Sequence, residues 1–443
     1  MRFRIDEVLA GHGAILDKAT VASNPIRATR YCHSMRTTPF HEPLASLNET
    51  QLWEHWAGYL SAVKYQHSTT VEYFATRDGV GVFDTSPLFK YRVNGADATL
   101  FLSTVMVRDV ARCGVGEAQY NVWCNDAGFT LEDGVILRVA ENEYWLSTAG
   151  RNLRYLSQLV GARDVTVEDI SDDYGMLAIQ GPHSLSTLAA LSDDVAPLAY
   201  FGVTTSEIAG KPITISRTGF TGDLGYELWV GAADCERVLD AVFAVGAGYN
   251  IVPIGSRALG MARLEAGLLL LGTDFESARY AWTDAQRETP LELGLGWMVP
   301  KQDGRRFIGA DALRAERADA TSRWKTVGIT VDPAGYEELY NGRGLIAPKE
   351  GVYRTGSLSL YDADFNADPG ASYLGYATSF MFSPLLKRHI GLAKVPLDRT
   401  AVGSVVYLEL TVSHRPCYVR AEVARTPFYN PSRKTAAHDE GAS

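Results

Sequence analysis

The chain has 443 residues, 46% hydrophobic and 21% charged, with a formal net charge of −10, an ordinary globular composition with room for about three compact units. That acidic balance disfavours nucleic acid, which needs a clustered basic face, and points to small-molecule ligands. Asp6 and Glu7 interrupt any apolar leader and no run approaches the roughly 20 apolar residues that span a membrane, while five scattered cysteines without C-x-x-C spacing suit a reducing cytoplasm.

Residues 1–40 read as an extension, with a helix predicted over Ile5–Lys18, interrupted by Gly11 and Gly13, and stopped by Asn24-Pro25. Trp53 to Val71 is rich in aromatic residues, and a short helix over Val71–Thr76 leads into a strand at Val80–Phe83. Runs of β-branched and aromatic residues predict strands at Tyr91–Val93, Gly134–Val139 and Tyr144–Ser147. In Tyr226–Val230, alternation puts Tyr226, Leu228 and Val230 on one strand face and Glu227 and Trp229 on the other. Ala233–Val245 reads as a helix on the stripe Val238, Leu239, Val242 and Phe243, and Met261–Leu271 as a second, buried helix. Beyond Asp319, Gly- and Tyr-punctuated strands predict a small all-β unit, and Lys434–Ser443 a frayed tail. The class is α+β.

The nine histidines are dispersed, with no H-x-x-H and no Cys/His cluster, so no metal site is predicted. No G-x-G-x-x-G follows a predicted strand, which disfavours a dinucleotide domain. The most informative stretch is Ser216-Arg217-Thr218-Gly219-Phe220-Thr221-Gly222-Asp223-Leu224-Gly225-Tyr226-Glu227-Leu228. Glycines spaced by three predict a turn that bends repeatedly and lets a ligand approach the backbone. Glu227, just after it, is able to accept two hydrogen bonds from a planar N–H pair such as a 2-aminopterin edge presents.

With Gly255-Ser256-Arg257 and Arg263-Leu264-Glu265-Ala266-Gly267, this stretch resembles the folate-binding core of the glycine-cleavage T-protein (aminomethyltransferase) family. Pro253 and Ile254 fill the first two places of the family's second element. Further matches follow in order: Gly81–Ser86, Tyr120–Asn125, Ile179–Pro182, Phe307–Leu313 and Phe382–Pro384. The resemblance covers most of residues 35 to 430. It implies three subdomains in a clover leaf around a central channel for tetrahydrofolate, the last an antiparallel β-barrel. The expected divisions are an extension over 1–40, a folate-binding region over 41–318 with a boundary near 158, a barrel over 319–430 and a flexible tail over 431–443.

By the same resemblance, Asn125-Asp126-Ala127-Gly128-Phe129-Thr130-Leu131-Glu132-Asp133 places the catalytic carboxylate at Asp133. Glu227 grips the pterin edge, Arg257 contacts the folate and Tyr120 packs against the ring. Phe220, where the family has Tyr, keeps a stacking surface without the hydroxyl, and Tyr226 completes the cofactor-binding set. Read alone, Asp133 before Gly134 is a solvated turn acid, Glu227 a half-exposed strand residue, Arg257 a capping ion pair and Tyr120 ordinary core.

The chain departs from the family in a segment between Gly272 and Thr289 that includes Arg279, Tyr280, Trp282 and Arg287, and in an expansion from Tyr336 to Tyr373. With these departures, the resemblance of Arg36–Phe40 and Glu132–Gly134 to segments of stand-alone demethylase relatives puts first a demethylase that moves a methyl group from a small O-, N- or S-methyl donor to N5 of tetrahydrofolate. Trp53, Trp56, Tyr59 and Tyr65 offer a cation–π box for an onium donor, against their commoner role as core. His41, His67, Tyr91 and Tyr280 are candidate leaving-group acids by residue type alone, and none is assigned. The alternative is a glycine-cleavage aminomethyltransferase served by a lipoyl carrier protein, and the third reading a noncatalytic folate-binding maintenance protein.

Overall fold

The structure, a computed structural model, describes residues 35–301, 304–349 and 354–437. The helix predicted at Ile5–Lys18 lies outside them. Two open sheets, a hairpin and a closed barrel carry the fold, and the sheets are antiparallel apart from one parallel pairing, Ile251–Pro253 on Val80–Asp84, among the described residues.

The six-stranded sheet runs Val203–Ile208, Lys211–Ser216, Gly225–Gly231, Tyr174–Gln180, Val80–Asp84, Ile251–Pro253. The five-stranded sheet runs Glu117–Cys124, Thr130–Ala140, Glu143–Thr148, Phe89–Asn94, Thr166–Asp169. All of the second sheet lies in the chain between Val80–Asp84 and Tyr174–Gln180, which pair with each other in the first. The second sheet is therefore an insertion in the first, and its strands run on to Asp169, past residue 158, where a boundary is expected.

Lys325–Val331 pairs with both Arg388–Val395 and Arg415–Ala424, closing a six-stranded barrel with no free edge. The unit expected to be all-β also carries the helix Pro333–Asn341, started by Pro333 at its first position and by the Asp332 carboxylate accepting from Gly335 N at 3.0 Å.

The helix expected at Met261–Leu271 is instead Ser256–Glu265. Gly267, at φ +64°, turns the chain out of it, and in the irregular chain after the turn Leu269 is buried while Leu268, Leu270 and Leu271 are half-buried. Its inner face (Ala258, Met261, Leu264) joins one apolar core with Phe83 and Ala178 of the first sheet, Val122 and Cys124 of the second, and Met381, Ile390 and Leu392 of the barrel. All three strand systems meet there.

The Arg-Leu-Glu-Ala-Gly motif makes that junction. Arg263 is ion-paired to Asp274 and donates to Ser379 Oγ of the barrel at 2.7 Å. Glu265 accepts from Tyr73 Oη at 2.6 Å, Arg77 Nη2 at 2.8 Å and the Ser383 hydroxyl of the barrel. Arg263 and Glu265 are fully buried, and each charge is matched, as burial demands.

Candidate active site

In the five-stranded sheet Val122 lies opposite Asp133 and Tyr120 opposite Val135. Tyr120 and Asp133 thus share a face, and the Tyr120 hydroxyl donates to Asp133 Oδ2 at 2.8 Å. Burial pushes the Asp133 carboxyl up to about 6, against the lowering effect of that hydrogen bond. The same burial holds the Tyr120 phenol well above its ordinary range. Both side chains keep some accessible surface, so they are not sealed in the core. Asp133 has no cationic partner among the described residues.

Glu227 comes from the other sheet, opposite Ser216 on one side and Ala178 on the other. The Thr218 hydroxyl donates to Glu227 Oε2. Burial raises this carboxyl too, and no cation offsets it among the described residues. The strand partners Val122 and Ala178 belong to the same shared core, so Asp133 and Glu227 face one interior from two sheets. Phe220, in the turn between Thr218 and Glu227, is half-buried.

Of the two remaining expected contacts, one is sealed in a different core and the other is exposed. Tyr226 is fully buried in the first sheet's own apolar core, on the strand face opposite Glu227. Arg257 is exposed in the first turn of Ser256–Glu265, and its guanidinium has no partner among the described residues.

The glycines of the turn have a different cause from the one read in the sequence. A Cβ on Gly219 or Gly225 would fall 2.0 Å or 2.3 Å from Gln180 Oε1, and one on Gly222, at φ +75°, would fall 2.4 Å from Ala266 Cβ. The turn wraps the Gln180 amide, which donates to the Thr218 and Tyr226 carbonyls at 3.2 Å each and accepts from Thr221 Oγ1 at 2.9 Å. The backbone is approached by the protein's own side chains.

Glu132 carries no role in the sequence reading, yet it is the most perturbed carboxyl beside the site. Only 3% exposed, it accepts from Asn152 Nδ2 at 3.3 Å through one oxygen, and the other oxygen has no partner. Burial, then the charge of Asp133, pushes it up to about 8. Strand alternation turns it to the face opposite Asp133, a signal available once residues 130–140 are read as a strand and not a turn. On that reverse face Arg279, from the segment between Gly272 and Thr289, donates to Asn152 Oδ1 at 3.3 Å and lies over the Tyr155 ring at 4.9 Å. Ala278 N donates to Thr130 O at 2.9 Å, so this segment covers the back of the Asp133 strand.

The aromatic box does not assemble. Trp53 packs on His41 at 4.8 Å, Trp56 on Phe83 at 5.9 Å, Tyr59 lies under Arg36 at 4.6 Å and Tyr65 is buried. A surface groove of about 580 Å³ lined by Val115, Leu198, Tyr200 and Phe201 includes none of the expected site residues.

Residues 41–303 match the GCVT N-terminal domain and residues 327–430 the glycine cleavage T-protein C-terminal barrel domain. An aminomethyltransferase of Listeria monocytogenes serotype 4b is 31% identical over 368 residues, 82% of this chain and 90% of its own length. One of Saccharopolyspora erythraea is 30% identical over 401 residues, 89% of this chain and 98% of its own. The crystal structure of glycine cleavage system aminomethyltransferase T from Bartonella henselae shares the fold, with a TM-score of 0.73 and 23% identity over 90% of this chain and 99% of that one. Both domain matches, in the order that the sheets and the closed barrel follow, mean that the chain belongs to the glycine-cleavage T-protein (aminomethyltransferase) family of tetrahydrofolate-dependent transferases.

Proposed function

We propose that the protein transfers the methylene carbon of an aminomethyl group from a lipoylated carrier protein to tetrahydrofolate, forming methylene-tetrahydrofolate as ammonia and the free carrier thiol leave. The observation that carries the one-carbon chemistry is the pair of carboxylates, Asp133 and Glu227, half-buried, facing one interior and without a cationic partner among the described residues. Such groups fit a ligand that brings N–H donors and a nitrogen that becomes positive. The choice of donor follows the relatives matched over 82% and 89% of the chain, both aminomethyltransferases. The demethylase that the sequence puts first becomes the second reading, kept by the Gly272–Thr289 segment and the Tyr336–Tyr373 expansion.

Tetrahydrofolate, when bound, supplies the amine nitrogen that takes up the one-carbon unit. Ionised Asp133 stabilises positive charge at that nitrogen and accepts the proton lost from it. Tyr120 fixes Oδ2 of Asp133 and so sets which oxygen is free for that proton. Glu227, steadied by Thr218, accepts from the N–H pair of the pterin and orients the ring. The surrounding apolar core excludes water.

The test is a mass-spectrometric assay of purified protein with tetrahydrofolate, once with a lipoylated, aminomethyl-loaded carrier and once with a panel of free O-, N- and S-methyl compounds. Methylene-tetrahydrofolate formed only with the carrier supports the proposal. Methyl-tetrahydrofolate formed from a free compound replaces it with the demethylase.

A further inference from the structure

The Gly-rich turn is held from outside its own sheet by residues 428–436. The Asp223 side chain is fully buried, and Arg433 grips both of its oxygens, Nε to Oδ1 and Nη2 to Oδ2 at 2.7 Å each, while Tyr429 Oη adds a third bond at 2.9 Å. At the other end of the turn, Arg217 Nη2 donates to the carbonyls of Arg433 and Lys434 at 3.3 Å each and of Ala436 at 2.7 Å. The Phe428 and Tyr429 amides donate to Glu265 O at 2.8 and 3.0 Å, and the Arg77 guanidinium lies 4.6 Å from the centre of the Tyr429 ring. The segment expected to be a flexible tail is thus bonded as far as Ala436, with a short helical turn at Ser432–Lys434.

Arg217 immediately precedes Thr218, whose hydroxyl holds Glu227, and Asp223 closes the turn that carries Phe220. We propose that residues 428–436 form a strap and that Arg433 is a positioning residue, which by fixing Asp223 sets the conformation of residues 217–223 and so the orientation of Glu227 and the affinity for tetrahydrofolate. The inference rests on the folate reading above. A planar fork that meets both carboxylate oxygens fixes direction as well as distance, which a lysine ammonium does not. The strap acts on binding and not on the step at Asp133, which stands on the other sheet.

The experiment measures the tetrahydrofolate Kd, KM and kcat, with the thermal midpoint, on the full chain and on Arg433→Met and Arg433→Lys. Loss of the fork releases the turn; a binding-competent fraction reduced to about one tenth raises Kd and KM about tenfold. The expected result is that rise in Arg433→Met, a smaller rise in Arg433→Lys, kcat within about threefold of the parent, and faster amide exchange at residues 217–223. A folded Arg433→Met with parental Kd overturns the inference, as does a loss of kcat in proportion to the unfolded fraction. Should Arg433→Met not fold, Arg433→Lys decides on the same criteria. A parent chain that binds no tetrahydrofolate defeats the folate reading and this inference with it, a result distinct from parental affinity in the variant.

Discussion

The Tyr120 hydroxyl meets Asp133 Oδ2 at 2.8 Å across two paired strands. Two effects on one proton follow from it: burial makes the Asp133 carboxyl harder to ionise, and the phenol makes it easier. The chemistry needs the ionised form. kcat/KM is therefore expected to rise with pH through about 6, and Asp133→Asn to lose about 10²–10⁴-fold in kcat while tetrahydrofolate affinity stays within about threefold. A pH–rate profile beside a binding titration checks both, and turnover retained by Asp133→Asn removes that residue from the mechanism.

Tyr120→Phe takes away the lowering effect and leaves burial. The acid limb of the profile then moves to higher pH, so the variant loses more activity at pH 6 than at pH 8. An unmoved limb shows that the phenol does not act on the Asp133 proton.

Glu132 sets a different pH dependence, one of stability. Its proton is held more tightly in the folded chain, at about 8, than at the ordinary 4.5, so the native state binds more protons between those values and stability falls as pH rises through that window. Glutamine has no proton to lose and keeps an oxygen for Asn152 Nδ2. Glu132→Gln is expected to be more stable than the parent by ~1–3 kcal/mol at pH 8 and nearly equal to it at pH 4. Denaturant titrations at the two pH values provide the test.

Gly222 and Gly210 both have positive φ, +75° and +72°, but a Cβ on Gly222 strikes Ala266 whereas one on Gly210 meets nothing within 4 Å. Gly210→Ala is expected to cost ~1 kcal/mol from backbone strain alone, and Gly222→Ala ~2–4 kcal/mol from strain plus overpacking. Equal losses in calorimetry contradict the account of the turn as wrapped around protein side chains.

Local chemistry was legible in the sequence where a period or a punctuating residue carries it. Alternation separated Tyr226 from Glu227, and the apolar stripe located the helix found at Cys235–Gly246. The resemblance sets Asp133 and Tyr120 each against the folate, and their side chains are hydrogen-bonded to one another. What stayed hidden are pairings whose two halves lie far apart and look ordinary alone. Gln180 sits inside a turn about forty residues downstream, and Arg263 and Glu265, besides their ion pairs, bond barrel hydroxyls more than a hundred residues away. The helix misplaced at Met261–Leu271 shows the local limit, since an apolar run also packs as partly buried irregular chain.

Asp223 and Arg433 are 210 positions apart. Translation at about 5–20 residues per second brings the arginine out some 10–40 s after the aspartate. For that interval the nascent turn has its glycines and Gln180 but not its clasp. On the strap proposal, a product cut short before residue 433 has the turn without its fork and takes up folate about tenfold more weakly than the whole chain.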